Sequence, residues 1–325
     1  MPPRLLTDPI LTVAEQVVRQ VYFRSAAIQR WRAARVSAPV RRELSLSAMK
    51  LAVEAHGVRR GDVLMVHSAL SKITVIDDRE RRAAARITCP PIGATLILDV
   101  LRGIIGDEGT LVLPTFPKYV NEAAYLSPEN DGRERLRYDP EHTPSKSGLM
   151  TEMFRQATGS LRSRYPIQTV SANGPLASEI VGGDATTVAG LAHGPSSPYA
   201  RLVARRAWVI SLGIPLIDFC TVVHAAEDAR YHEWPVKDFW RARYFDVIEG
   251  ERTHPVTLLE RRPIYSRGYA EELLRRDART SGVLVERAVG NVQCHALRAD
   301  DLFDLMMARN AGTTYPFLWP AISRL

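Results

Sequence analysis

Three short apolar runs punctuate the chain: Val63-Leu64-Met65-Val66, Thr110-Leu111-Val112-Leu113 and Trp208-Val209-Ile210-Ser211-Leu212. Each has strand length and almost no polar interruption. Strands that are apolar without alternation belong to sheets covered on both faces. Helical spacing of apolar residues fills Ser45–His56 and Gly93–Ile105, and the glycine-bounded turns Gly57–Asp62 and Gly106–Gly109 join each helix to the strand that follows. Strands alternating with helices predict an α/β chain with a mostly parallel central sheet and helices on both faces. Ligands of such sheets sit beyond the carboxyl ends of the strands. That places His67-Ser68, Thr115-Phe116 and Gly213-Ile214 at one rim.

The pattern changes at both ends. Asp8-Pro9 is a helix start, an Asp cap followed by Pro at the first helical position. Ile10, Ala14, Val17, Val21, Ile28 and Trp31 then recur at helical spacing with arginines opposite. Residues 1–44 therefore read as a basic amphipathic helical extension, and 45–325 as the main domain. Such a helix packs on its own domain or on a dimer partner, or meets an acidic partner or membrane surface. Residues 77–86 are charged and expected on the surface. Phe245–Leu258, broken by Glu249-Gly250-Glu251, reads as a β-hairpin, and the tail from Ala270 mixes helix and short strands.

Charge sharpens this division. The chain of 325 residues carries a formal +7, and residues 1–45 hold eight arginines against three acids, which accounts for +5 of it. The rest is near neutral, so the main domain has no basic nucleic-acid groove, nor an interleaved aromatic and basic motif. No apolar run approaches the roughly 18 residues a membrane span needs, and the start lacks a signal-peptide core; a cytoplasmic protein is expected. Cys89, Cys220 and Cys294 are far apart and form no CxxC pair, which fits reduced thiols rather than disulfides or structural zinc. No phosphate-cradling glycine loop follows a strand.

Several residues could carry chemistry. His224 and Glu227 stand at i, i+3 and would share a helix face, where a carboxylate can orient an imidazole and raise its basicity. The same face continues to Asp228 and His232. A surface charge stripe, an acid–base pair and a metal set of His224, Asp228 and His232 are all compatible with that spacing. His224 and His232 would lie about 12 Å apart along the helix, a long span for one small ion. His67 at a strand end could mark backbone amides facing a carbonyl, or be a histidine satisfied in the core. His193 precedes the turn cluster Gly194–Pro198. Arg162-Ser163-Arg164-Tyr165-Pro166 is rich in donors that suit phosphates, or is a solvated loop.

Taken in order, these segments resemble the aminoglycoside 3-N-acetyltransferase family. Gly61–Leu70 resembles the family's GD-x-hydrophobic-HSSL opening, and Gly109–Phe116 its GTL-hydrophobic-PTF strand. Asp139-Pro140, Thr143-Pro144-Ser145 and Gly148 resemble DP…TPS…G; Arg162-Ser163, Pro166 and Ser171 resemble RS-x-HP-x-x-S. Gly194–Pro198 resembles GPGSP, and Thr221–Glu227 resembles T-x-x-H-x-x-E. The resemblance runs from about Ser45 to Asp238, three fifths of the chain. It implies a three-layer α/β/α domain, acetyl-CoA as co-substrate without a metal, and direct attack of an amine on the thioester. It implies His224 oriented by Glu227 as the catalytic pair, with His193 beside the acceptor. It implies that His67, Ser68, Ala69, Leu70, Thr115, Ser145, Arg162, Ser163 and Ser171 lie along coenzyme A.

Three departures from the family pattern bear on function. The His-Pro dipeptide is Tyr165-Pro166, HSSL has become HSAL at Ala69, and loop 117–137 mixes Glu122, Glu129 and Asp131 with Lys118, Arg133, Arg135 and Arg137. A polycationic aminoglycoside favours a strongly acidic cleft, so the charge fits an amino sugar in polysaccharide or natural-product assembly better than drug resistance. The expected function is N-acetylation of an amino-sugar-like acceptor. The alternatives are an acyl group delivered by an acidic carrier protein docked on the basic helix, or an inactive binding protein on the same fold.

Overall fold

The computed structural model describes residues 42–79, 84–119, 135–183, 190–216, 220–262 and 270–310, together with Ser25 and Tyr265. The helix expected from Asp8 to Trp31, and Glu122, Glu129, Asp131 and Arg133, lie outside the described residues.

The first half opens with strand β1 (Arg42–Ser45), helix α1 (Leu46–Ala55) and strand β2 (Val63–Ser68). Strands β3 (Ile73–Asp77) and β4 (Ala85–Ile87), helix α2 (Pro90–Ile105) and strand β5 (Thr110–Pro114) follow. Then come β6 (Arg135–Tyr138), α3 (Leu149–Gln156), β7 (Leu161–Arg162) and β8 (Val170–Asn173). Helix α4 (Ala177–Val181), β9 (Gly190–Leu191), α5 (Pro198–Ala204), β10 (Trp208–Leu212) and α6 (Val223–Ala229) lead to the hairpin β11 (Trp240–Glu249) and β12 (Arg252–Arg261). The described residues end with α7 (Glu271–Thr280), β13 (Val285–Val289), β14 (Val292–Arg298) and α8 (Ala299–Arg309).

Local signals explain the boundaries. Ser45 caps α1 by accepting the amide of Ala48 at 3.0 Å. Helix α2 starts at Pro90, three residues before the expected Gly93, because proline is well suited to the first helical turn. It ends at Gly106, whose φ of 66° lies in the left-handed region that glycine enters at little cost.

The central sheet has the order β13-β14-β10-β2-β5-β8-β7. Its strands alternate between two cores: Val63, Met65, Val112 and Val209 face one side, and Leu64, Val66, Leu111, Leu113, Ile210 and Leu212 the other. Helices α1, α2 and α3 cover the second face, and α4 to α8 the first. The unbroken apolar strands thus sit between two helical layers, as the hydrophobic pattern implied. The expectation of a mostly parallel sheet does not hold. Among the described residues of this sheet, only β10-β2-β5 pair in parallel. Antiparallel strands flank them on both sides. The cause lies where the sequence signal was weak: β13 and β14 join by a tight turn at Gly290, which an antiparallel pair allows and a parallel pair does not.

Two smaller sheets complete the fold: β1-β3-β4, and β6-β11-β12-β9. Residues 42–44, assigned from sequence to the N-terminal extension, pair with β3. The hairpin runs further than Phe245–Leu258 at both ends. Among the described residues no helix is long and apolar enough to cross a membrane.

Candidate active site

Helix α6 lies in the helical layer on the first face, its Ala225 and Ala226 buried against the core. The amide of His224 bonds the Thr221 carbonyl at 3.1 Å, and the i, i+3 spacing puts His224 beside Glu227. The His224 Nδ1–Glu227 Oε2 distance is 2.7 Å. The other Glu227 oxygen accepts from Arg261, at the end of β12, at 2.9 Å. Glu227 is 1% exposed in its side chain and His224 12%. With a carboxylate at Nδ1, that nitrogen carries the proton and Nε2 is left as the basic atom. Burial holds His224 below its ordinary 6.5; Arg261 pushes the same way, and Glu227 pulls back upward. The outcome is a neutral, oriented imidazole.

A second histidine stands next to it. The His193 and His224 ring centroids are 4.9 Å apart, and Tyr199 meets the other side of His193 edge-on at 5.3 Å. The His193 amide donates to Asp228 Oδ2 at 2.8 Å, and its Nδ1 lies 3.8 Å from the same oxygen. The remaining Asp228 oxygen accepts the Trp240 indole N–H at 2.8 Å. Burial pushes His193 well below its usual range, helped by the His224 and Arg261 charges. Burial also raises Asp228 to about 7, against the pull of its two donors. Helix α6 ends at Ala229, and His232 sits in the short turn Tyr231–Glu233. The face predicted to run from His224 to His232 is therefore interrupted, and Asp228 is occupied by the His193 amide and Trp240.

Two cavities open among the described residues, and neither is lined by His193 or His224 themselves. One of about 180 Å³ is lined by Gly194, Pro195, Ser196, Tyr165, Tyr231 and Leu259 among others, directly after His193 in the chain. The other, about 250 Å³, opens at the carboxyl end of β2 between Ser68–Ser71, the start of α2 at Cys89–Pro90, and Ser147–Met150.

A family model described as aminoglycoside 3-N-acetyltransferase matches residues 65–310, about three quarters of the chain. The chain belongs to that family. Among curated relatives it is 30% identical to aminoglycoside N(3)-acetyltransferase IX of Micromonospora chalcea over 178 residues, 53% of this chain and 57% of that protein. It therefore spans little more than half the length of that relative. It is 27% identical to aminoglycoside N(3)-acetyltransferase VII of Streptomyces paromomycinus over 78% of this chain and 87% of that protein. A solved structure of AAC-IIIb in binary complex with CoASH matches with a TM-score of 0.61 at 21% identity, covering 82% of this chain and 96% of that one. That likeness supports the mixed α/β fold. The family's named members are N-acetyltransferases.

Within this family frame, the residues singled out from sequence fall into three groups. His224, Glu227 and His193 come together as described. Ser68, Ala69 and Leu70 line the larger cavity. The Ala69 amide, however, donates to the Leu212 carbonyl at 3.1 Å, so it is not an open donor for a thioester oxygen. Ser145 shapes that cavity from behind: its hydroxyl accepts the amide of Ser147 at 3.1 Å, and Ser147 and Gly148 form the wall. His67 points to the opposite face of β2, paired with Ser211, 3% exposed and held by burial at about 3. This geometry suits a neutral core histidine.

The third group is internal. Thr115, Ser163 and Ser171 are 0% exposed. Thr115 and Ser171 share a hydroxyl contact at 3.0 Å. Arg162 donates to the carbonyls of Thr115, Pro140 and Thr143 and lies over the Tyr138 ring. Its guanidinium is aimed at backbone rather than outward. Three groups bonded into this cluster escaped the sequence: Arg261, Trp240 and the link from Asp228 to the His193 amide. The first two come from the hairpin, more than ten residues from any motif, and no local spacing marks them.

Proposed function

We propose that the protein transfers an acetyl group from acetyl-CoA to an amine of an amino-sugar-like acceptor, by direct attack. The observation that carries this is the His224 Nδ1–Glu227 contact of 2.7 Å, backed by Arg261, in a chain of this family. The neutral amine attacks the thioester carbonyl, a C–N bond forms and the C–S bond breaks. His224 Nε2 accepts the proton the amine loses, and the departing thiolate takes that proton up. Glu227 holds the ring in the productive tautomer and balances the imidazolium as it forms. His193 is proposed beside the acceptor, because the turn after it lines the smaller cavity.

The larger cavity is proposed for the thin pantetheine arm: it is lined by a strand end, a helix start and a turn of small residues, Ser147-Gly148. The AAC-IIIb complex with CoASH supports coenzyme A as the donor type. A coenzyme A donor and three cysteines outside any disulfide fit the cytoplasm. Among the described residues the smaller cavity's lining carries no carboxylate, while Arg135, expected in the basic half of loop 117–137, lies in β6 paired with Asp246 at 2.8 Å. The carboxylate-free lining favours an acceptor with few positive charges over a polycationic one.

Acetyl-CoA turnover over a panel of amino sugars and aminoglycosides tests the proposal. Turnover with a monoamine sugar at least tenfold above that with a polyamine is the expected result. Absence of turnover with every amine, and no thermal shift with coenzyme A, would overturn it. Deleting residues 1–40 tests delivery by a carrier protein: with free acetyl-CoA as donor, turnover is expected to survive.

A further inference from the structure

The site's two histidines trace back to one cross-strand pair. Trp240 and Arg261 are register partners at the open end of the β11–β12 hairpin. Partners in an antiparallel ladder project from the same face. Here that face meets α6, where the consecutive acids Glu227 and Asp228 are 1% and 5% exposed. Arg261 bonds Glu227 at 2.9 Å, and Glu227 bonds the His224 ring at 2.7 Å. Trp240 bonds Asp228 at 2.8 Å, and Asp228 bonds the His193 amide at 2.8 Å. Each acid thus uses one oxygen on the hairpin and the other on a histidine.

We infer that the Trp240–Arg261 pair is a two-pronged positioning clamp that sets the separation and orientation of His224 and His193. The inference rests on the proposed acetyl transfer for its kinetic consequence, but not for its geometry. The clamp is held firmly: Trp240 packs edge-on against Tyr231 at 4.8 Å and Phe239 at 4.7 Å, and the neighbouring pair Arg241–Glu260 is bonded at 2.9 Å on the other face. Neither prong touches the reacting atoms. Arg261 acts through Glu227, and Trp240 through Asp228 and the backbone of His193. The titratable and charged groups around His224 are Arg261, Glu227, Glu260 and the neutral His193.

The test uses the full-length protein with Arg261→Gln, Arg261→Lys and Trp240→Phe, which keeps an aromatic ring but removes the indole N–H. Two readouts are taken: steady-state kinetics, and NMR titration of the histidine rings and of the Asp228 carboxyl in the free protein. For Arg261→Gln kcat is expected to fall roughly 10- to 100-fold, part of what a positioned base supplies, with KM for acetyl-CoA within about twofold. The His224 titration should move up, because a nearby cation is gone, and Arg261→Lys should restore both in part. For Trp240→Phe the Asp228 titration should move up and kcat fall. Unchanged ring titrations and unchanged kcat in both folded variants would overturn the clamp. If Arg261→Gln does not fold, Trp240→Phe decides alone by the same criteria. Were the wild type to acetylate nothing, the titrations would still test the clamp, so failure of the proposed reaction and failure of the clamp are separable.

Discussion

The proposed base, His224, can act only while it is neutral, and its surroundings keep it so. Burial and Arg261 lower its affinity for protons, and Glu227 holds it without reversing that balance. His224→Ala is expected to lower kcat by roughly 10²- to 10⁴-fold, the usual contribution of a positioned base. Glu227→Gln removes the charge that supports the imidazolium and should also cut kcat, with little change in KM. The pH profile follows from the sign of the shift. A base with a lowered pKa stays active through neutral pH, so kcat/KM corrected for ionisation of the acceptor amine should be flat there and fall only as pH drops below 6.5 into the range where His224 protonates. A profile still rising between pH 7 and 8 from His224 would contradict this. The pair was legible in the sequence because i, i+3 spacing is local and a seven-residue helix suffices to realise it. Arg261 was not, because its approach depends on hairpin register, which one strand's residues do not encode.

Elements around the site divide into those that hold ligands and those that hold other elements. Arg162 illustrates the second kind. Its sequence context suggested a phosphate partner, but its donors reach three backbone carbonyls. Arg162→Ala should cost about 3 kcal/mol by orphaning those acceptors, read as a lower melting temperature, with KM for acetyl-CoA changed less than about threefold. A large rise in KM with unchanged stability would return Arg162 to the coenzyme. Gly174 is similarly structural. Its φ is 134°, and a Cβ there would sit 2.3 Å from the Gly109 carbonyl oxygen, so Gly174→Ala should destabilise the β5–β8 junction by roughly 2–4 kcal/mol in chemical denaturation. The central strands were legible because both faces are apolar. The extent of β11 was not: Arg241 and Arg243 occupy buried positions in its alternation, satisfied by Glu260, and so masked the apolar face.

At the scale of the whole molecule, buried neutral histidines set the response to acid. His56 and His67 are held by burial at about 4 and about 3, and His193 well below 6.5. Groups with depressed proton affinity bind protons more readily when unfolded, so stability is full above pH 6.5 and is lost as pH falls from there toward 3. Asp228, raised to about 7, has the opposite sign: its contribution is lost as pH rises from about 4 to 7. Three histidines outweigh one aspartate, and the melting temperature should fall steadily between pH 6.5 and 4. The layered α/β plan was readable from sequence, while the sheet's antiparallel flanks were not, since pairing direction is decided by connections rather than by strand composition. The most direct test of the account is amine-dependent release of coenzyme A from acetyl-CoA, measured side by side for the wild type and His224→Ala. The account predicts release that requires the amine and falls at least 100-fold in the variant. Equal release by the two proteins, with or without amine, would contradict it.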